Sequence, residues 1–192
     1  MMRIITGRAR GVRLNTLAGE NTRPTSERAK EAIFSTLQFD IQGKEVLDLF
    51  AGSGQMALEA LSRGAAHAVL CDASKAAGQV IRENATKTRL LPLCEIAVLD
   101  WEVLLRNLKK RKSFGLVFLD PPYALGVIPK VLEQLQEYGL LENDAKIVCE
   151  TAAENDVFGE NAELREKFSV LRTARYGAAF VTILSPNIKE VE

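Results

Sequence analysis

Histidine is almost missing from this chain of 192 residues, which has only His67. A Ser–His or Cys–His nucleophile, or a histidine-rich metal centre, would have to rest on that one side chain. It stands beside Gly64-Ala65-Ala66, just ahead of a predicted strand, and is read as a structural residue. Cysteine is scarce too. Cys71, Cys94 and Cys149 lie far apart with no CxxC spacing, each in a strand-like segment. That pattern excludes a disulfide frame and a thiolate metal site, and suits small buried residues in a reducing compartment. No apolar run approaches the roughly 20 residues needed to cross a bilayer. The opening Met1-Met2-Arg3-Ile4-Ile5-Thr6-Gly7-Arg8 lacks the apolar core of a secretory signal. These absences lead us to expect a cytoplasmic, metal-free protein without a membrane partner; a monomer is expected, although nothing in the sequence bears on oligomeric state. With 47% hydrophobic residues, the chain can build one well-packed domain with a small extension.

Excess charge is also absent: 25 basic and 25 acidic residues cancel. The distribution is uneven, however. Residues 1–30 carry Arg3, Arg8, Arg10, Arg13, Arg23, Arg28 and Lys30 against only Glu20 and Glu27, whereas the chain from Glu142 onward is acidic on balance. A basic arm on a neutral body can track a phosphate backbone; it can equally be a solvated hairpin.

Periodicity predicts a hairpin at 3–6 and 12–16 around a Gly7-to-Gly11 turn, then a helix over 25–37. From residue 45 the pattern alternates. Strands are predicted at 45–50, 67–71, 94–98, 114–119 and 145–150, with helices at 55–63, 75–88, 101–110 and 128–138 between them. A short helix near 162–167 precedes a final strand pair, 168–173 and 179–184, joined around Tyr176-Gly177. Strand–helix repetition requires a parallel sheet covered on both faces, and the closing pair supplies an antiparallel edge. The expected fold class is α/β: a doubly wound, Rossmann-like domain over 41–187, preceded by a basic hairpin-and-helix extension over 1–40 and followed by a tail at 188–192. Such sheets bind ligands at the carboxyl ends of their strands.

Proline is infrequent, with six in the chain, yet two stand together in Asp120-Pro121-Pro122-Tyr123. This tetrapeptide follows a buried strand, so Asp120 sits at a strand's C-terminal end. Two prolines cannot continue a strand; they hold the backbone rigid. A carboxylate, a fixed carbonyl and a stacking ring together suit a planar amino group on a nucleobase.

A second carboxylate-and-turn motif closes the first strand of the alternating region: Asp48-Leu49-Phe50-Ala51-Gly52-Ser53-Gly54. Glycines let the backbone pass close to a ligand, and the helix behind them offers free N–H groups. The segment Gly52-x-Gly54-x-x-Ala57 is compatible with a dinucleotide. Asp48 would be awkward beside a pyrophosphate but useful beside the ammonium group of S-adenosylmethionine, and it could instead simply shape the turn. Asp72, closing the next strand, is placed to grip a ribose diol. Asp100 could accept from an adenine amino group or cap the helix after it. Asn84 is read as a polar helix residue.

Taken together, these motifs resemble the class I S-adenosylmethionine-dependent methyltransferases that act on exocyclic amines. The run Arg3-Ile4-Ile5-Thr6-Gly7, Arg10-Gly11, then Arg23-Pro24-Thr25-x-x-Arg28-x-x-Glu31-x-x-Phe34, with residues 57–65 and Tyr176-Gly177, narrows the resemblance to the RsmD family of bacterial 16S rRNA (guanine-N2)-methyltransferases. It covers most of the chain. Two positions depart from the family pattern: Asp72 replaces the usual glutamate, and Thr6 replaces a glycine. The resemblance implies S-adenosylmethionine as cofactor, held by Asp48, Ala51, Gly52, Ser53, Gly54, Asp72 and Asp100. It implies Asp120, Pro121, Pro122 and Tyr123 as the catalytic set. It also implies methylation of one guanine (guanine 966) in 16S rRNA, on the 30S subunit or an assembly intermediate.

Overall fold

A computed structural model describes residues 2–17, 27–154 and 157–187. The Arg23-Pro24-Thr25 segment and the 188–192 tail lie outside the described residues. Seven strands form one sheet: β1 (Glu45–Asp48), β2 (His67–Asp72), β3 (Cys94–Val98), β4 (Phe114–Leu119), β5 (Leu141–Thr151), β6 (Phe168–Tyr176) and β7 (Ala179–Pro186). The described residues also form six α-helices: α1 (Glu27–Thr36), ahead of the sheet, then α2 (Gln55–Ser62), α3 (Lys75–Lys87), α4 (Trp101–Leu108), α5 (Ile128–Glu137) and α6 (Ala162–Glu166) between its strands. The spatial order is β3-β2-β1-β4-β5-β7-β6. The first five strands run parallel, and β7 is antiparallel to both β5 and β6. This is the expected α/β architecture with its antiparallel edge.

Alternation along the central strands divides the core in two. Val46, Leu70, Leu116, Phe118 and Val148 point toward α1, α2 and α3. Leu47, Val69, Val117, Leu119 and Cys149 point toward α4, α5 and α6. All six residues of β4 are buried, because β4 lies between β1 and β5 with helices above and below. Chain order reverses at the β1–β4 boundary, the point where such sheets open a crevice.

The N-terminal segment differs from a regular hairpin. Among its described residues the one strand bridge is Arg3 with Arg13, although Ile4 N–H also reaches Val12 O at 3.0 Å. Several of its other backbone donors go to α2. Ile5 and Thr6 N–H donate to the Glu59 carboxylate at 2.7 and 3.0 Å; Arg8 and Ala9 N–H donate to Ser62 O and Oγ at 2.9 and 3.0 Å. Gly7 sits at φ +86°, and a Cβ there would come within 1.9 Å of Ser62 O, so only glycine permits this approach.

Helix α2 is buried from Met56 to Ser62 because the sheet covers one side and the N-terminal segment the other. That burial encloses Glu59, whose charge is met by Arg63 Nε at 2.8 Å and by the equally buried Lys30 Nζ at 3.6 Å. Burial pulls the Lys30 ammonium below its usual pKa, and Glu59 pulls it back up. Ile4, Ala9 and Leu14 join the same core cluster as Phe34 and Phe118, whose rings lie 5.8 Å apart.

Candidate active site

Every carboxylate singled out in the sequence lies at the carboxyl edge of the sheet. Asp48 closes β1, Asp72 closes β2, Asp100 follows β3 and Asp120 follows β4. The loop after β1 turns sharply: Gly54 N–H donates to Ala51 O at 2.6 Å, and Ala51 N–H to Cys71 O at 2.9 Å. Gly54 caps α2 at φ +77°, where an added Cβ would press within 3.1 Å of Leu70, so close packing and left-handed backbone both demand glycine. A Cβ on Gly52 would meet nothing within 4 Å, so the loop faces open space. Its neighbours Ala51 and Ser53 are buried.

Asp48 is buried and accepts from Ala57 N–H at 3.4 Å. Burial pushes its carboxyl up to about 7; the Ala57 bond works against that rise, and nearby Asp72 adds to it. A buried acid so poised takes its charge readily when a cation arrives. Asp72 braces the loop: Oδ2 accepts from Gly52 N–H and Oδ1 from Ser74 N–H, both at 2.9 Å. Asp100 is the N-cap of α4, accepting from Glu102 N–H at 2.8 Å, so one of its two expected roles is observed.

The tetrapeptide after β4 turns as its prolines require. Pro121 is buried, Pro122 is exposed, and Tyr123 opens a single 3₁₀ turn ending at Leu125. Tyr123 is 45% exposed, enough to meet a second molecule. Its phenol donates to Glu150 Oε1 at 2.9 Å. Asp120 is partly buried, and its proton affinity is raised well above that of an ordinary aspartate. Burial is the main cause, followed by the charges of Glu150 and Asp48.

Two contributors were not singled out from sequence. Glu150 sits in β5 next to Thr151 at its end, and only the β4–β5 pairing brings it beside Asp120. Asn84, read as an ordinary helix residue, is fully buried. It donates to Ser53 O at 2.9 Å and to Asn15 O at 3.0 Å, and accepts from Asn15 N–H at 2.7 Å. The cue for Asn84 was its apolar surroundings on the inner face of α3. The cysteines contribute no nucleophile. Cys71 and Cys149 are buried and Cys94 half-buried, and burial pushes the Cys71 and Cys94 thiols up to about 12. No helix among the described residues is long and apolar enough to cross a membrane.

A family model described as "Conserved hypothetical protein 95" matches residues 2–185. The Bacillus subtilis protein YlbH is 37% identical over 183 residues, covering 95% of this chain and 97% of YlbH. Ribosomal RNA small subunit methyltransferase D of Escherichia coli strain K12 is 34% identical over 154 residues, 80% of this chain and 76% of that protein. Among solved structures, yhhF from Escherichia coli superposes with a TM-score of 0.83 at 29% identity, covering 96% of this chain and 97% of yhhF. With its strand order, its glycine turn after β1 and its Asp-Pro-Pro-Tyr turn after β4, the chain belongs to the RsmD family of methyltransferases.

Proposed function

We propose that the protein transfers a methyl group from S-adenosylmethionine to the exocyclic N2 amine of a guanine in small-subunit rRNA. One observation carries the reading. The glycine turn with Asp48 and the Asp120-Pro121-Pro122-Tyr123 turn leave adjacent strands, β1 and β4, at the same sheet edge where chain order reverses. The relatives' names supply the rRNA class, and the carboxylate–carbonyl pair supplies the amine.

The residues suit the cofactor. The open cradle over Gly52 admits a ligand against the backbone, and Asp48 offers a buried carboxylate for an ammonium group. Gly54 gives α2 no side-chain cap, and although Ala57 N–H goes to Asp48, the N–H groups of Gln55 and Met56 at the start of the helix can serve a carboxylate. Asp72 would hold a ribose diol while bracing Gly52, and Asp100 would border the adenine. Bound there, S-adenosylmethionine supplies an electrophilic methyl group on a sulfonium.

The rest falls to this chain. A guanine N2 lone pair is delocalised into the ring and is a poor nucleophile. The Asp120 carboxylate accepts one N–H and the Pro121 carbonyl the other. That draws the nitrogen toward tetrahedral geometry and aims its lone pair at the donor. Asp120 then receives the proton that the amine sheds. Tyr123 stacks on a base drawn out of its helix or loop. Exposed Arg10 and Arg13 carry the basic arm toward RNA phosphates. The target is a 30S subunit or an assembly intermediate.

The test incubates the protein with labelled S-adenosylmethionine and unmodified small subunits, naked rRNA or DNA, followed by digestion to nucleosides. Label in N2-methylguanosine is expected. Label in N6-methyladenosine, or none, overturns the reading. Asp120→Ala should lower single-turnover transfer by about a hundredfold to a thousandfold while cofactor binding by calorimetry stays near wild type.

A further inference from the structure

Parity along the strands puts a third carboxylate in this site. Val46 and Asp48 share a face of β1; Leu116 and Phe118, with Asp120 one step past the strand, share a face of β4; Val148 and Glu150 share a face of β5. It is the same face of the sheet in each case. In the parallel pairing Val117 lies beside Ile147, Phe118 beside Val148 and Leu119 beside Cys149, so the next step sets Asp120 beside Glu150. Adjacent parallel strands lie about 4.8 Å apart, within reach for two carboxylates. Glu150 also accepts the Tyr123 phenol at 2.9 Å, so one side chain touches the ring and neighbours the acid of the same turn.

We propose that Glu150 is a positioning residue of the methyl-transfer site, fixing the Tyr123 ring through its phenol and standing beside the Asp120 carboxylate across the β4–β5 pairing. The role rests on the methyltransferase reading of the site. The charged groups acting on Asp120 are Glu150 from β5 and Asp48 from β1; Tyr123 comes from Asp120's own turn. Two carboxylates this close resist joint ionisation, and burial adds to the resistance, so Asp120 holds its proton more tightly than an ordinary aspartate. An acid with raised proton affinity is a better acceptor for the proton the amine sheds. It must itself be deprotonated to accept the amine N–H. The acidic limb of the pH–rate profile therefore reports on the pair.

Glu150→Gln removes the charge and keeps an oxygen for the Tyr123 phenol. Carbon-13 NMR of labelled aspartate carboxyls, with Asp120 assigned by its loss in Asp120→Asn, follows the titration in the protein without cofactor or RNA. The Asp120 midpoint should move to lower pH in Glu150→Gln, and the acidic limb of kcat/KM should move the same way. Glu150→Asp restores a charge and should return the midpoint toward wild type, which a merely structural role would not predict. Glu150→Ala, which removes the carboxylate that accepts from the phenol, should lower kcat/KM by about tenfold. An unmoved midpoint in Glu150→Gln, or Glu150→Asp behaving like Glu150→Gln, overturns the proposal. The NMR arm needs no turnover, so a wild-type protein that fails to methylate guanine refutes the functional reading without deciding this one.

Discussion

The side-chain amide of Asn84 on α3 donates to the main-chain carbonyl of Ser53 in the glycine turn at 2.9 Å. The same amide holds both backbone groups of Asn15, so one buried side chain ties the N-terminal segment to the glycine turn. Asn84→Ala would leave these groups without a partner in a closed space. Each such group costs about 1–3 kcal/mol. Urea unfolding should show at least one such loss, and S-adenosylmethionine affinity by calorimetry should fall about tenfold. Hydrogen exchange at the Asn15 amide should accelerate. Unchanged exchange would show that Asn84 does not tie down the segment.

Glu59 carries the second tie between the N-terminal segment and the body. It accepts from Ile5, Thr6 and Arg63 and faces buried Lys30. Replacing it with alanine strands the Lys30 ammonium, which also donates to Arg3 O at 2.6 Å. Removing one partner of a buried pair typically costs about 3–5 kcal/mol. Glu59→Ala should be destabilised on that scale in denaturant titration. Glu59→Ala with Lys30→Met should recover part of the loss, because the stranded charge is gone. A double variant no better than the single one would mean that the stranded Lys30 charge is not the cause.

With Asp48 in its proposed place beside the cofactor's ammonium group, cofactor binding is expected to depend on pH. Its folded carboxyl is raised from the ordinary 3.8 to about 7, so the folded state binds the proton more tightly than the unfolded chain. The stabilisation from this group is therefore fully present below the unfolded value and is lost as pH rises through about 7. A bound ammonium favours the charged form, so binding expels the proton. Calorimetry should show affinity rising from about pH 5 to about pH 7, with proton release. Asp48→Asn should bind more weakly and with a flat profile over that range. The same variant should be more stable than wild type at about pH 8 when no cofactor is present.

Arg8, Arg10 and Arg13 are all exposed, but the Arg8 guanidinium also donates to Leu61 O at 3.1 Å and helps dock the segment. Reversal of Arg10 and Arg13 to glutamate should leave the fold intact and weaken rRNA binding. The slope of log affinity against log salt should shrink by roughly 2, about one unit for each phosphate no longer neutralised. Filter binding at several salt concentrations measures this. An unchanged slope would separate the basic arm from RNA.

Much of this site is readable along the chain because its signals are local. Asp48 and Asp120 each end an apolar run and begin a glycine or proline turn, so their place at strand ends needs no knowledge of neighbours. Asp100 before the amphipathic Trp101–Leu108 helix has an N-cap's position, and the structure uses it so. The sequence falls short where a partner lies far off along the chain. The 3–6 and 12–16 segments do turn back on one another, with the Arg3–Arg13 bridge, Ile4 N–H on Val12 O at 3.0 Å and Leu14 N–H on Met2 O at 3.1 Å, yet other donors of this segment go to Glu59 and Ser62, more than fifty residues away. Strand β5 begins at Leu141 rather than residue 145. Its acidic start is held by Lys44, which reaches Glu142 at 2.7 Å and Asp144 at 2.9 Å from the turn before β1.

The order of apolar and polar residues, the glycines of the turns and the paired prolines were sufficient to determine an α/β chain with two carboxylate turns at one sheet edge. Backbone conformation and hydrophobic periodicity act over a few residues, and those are written consecutively. Tertiary structure alone decided that Glu150 stands beside Asp120, that Asn84 holds Ser53 and Asn15, and that Glu59 and Lys30 meet inside the protein. Each depends on which strand lies next to which and which helix face is covered. Those choices come from burying the whole chain at once, and no short stretch of it encodes them.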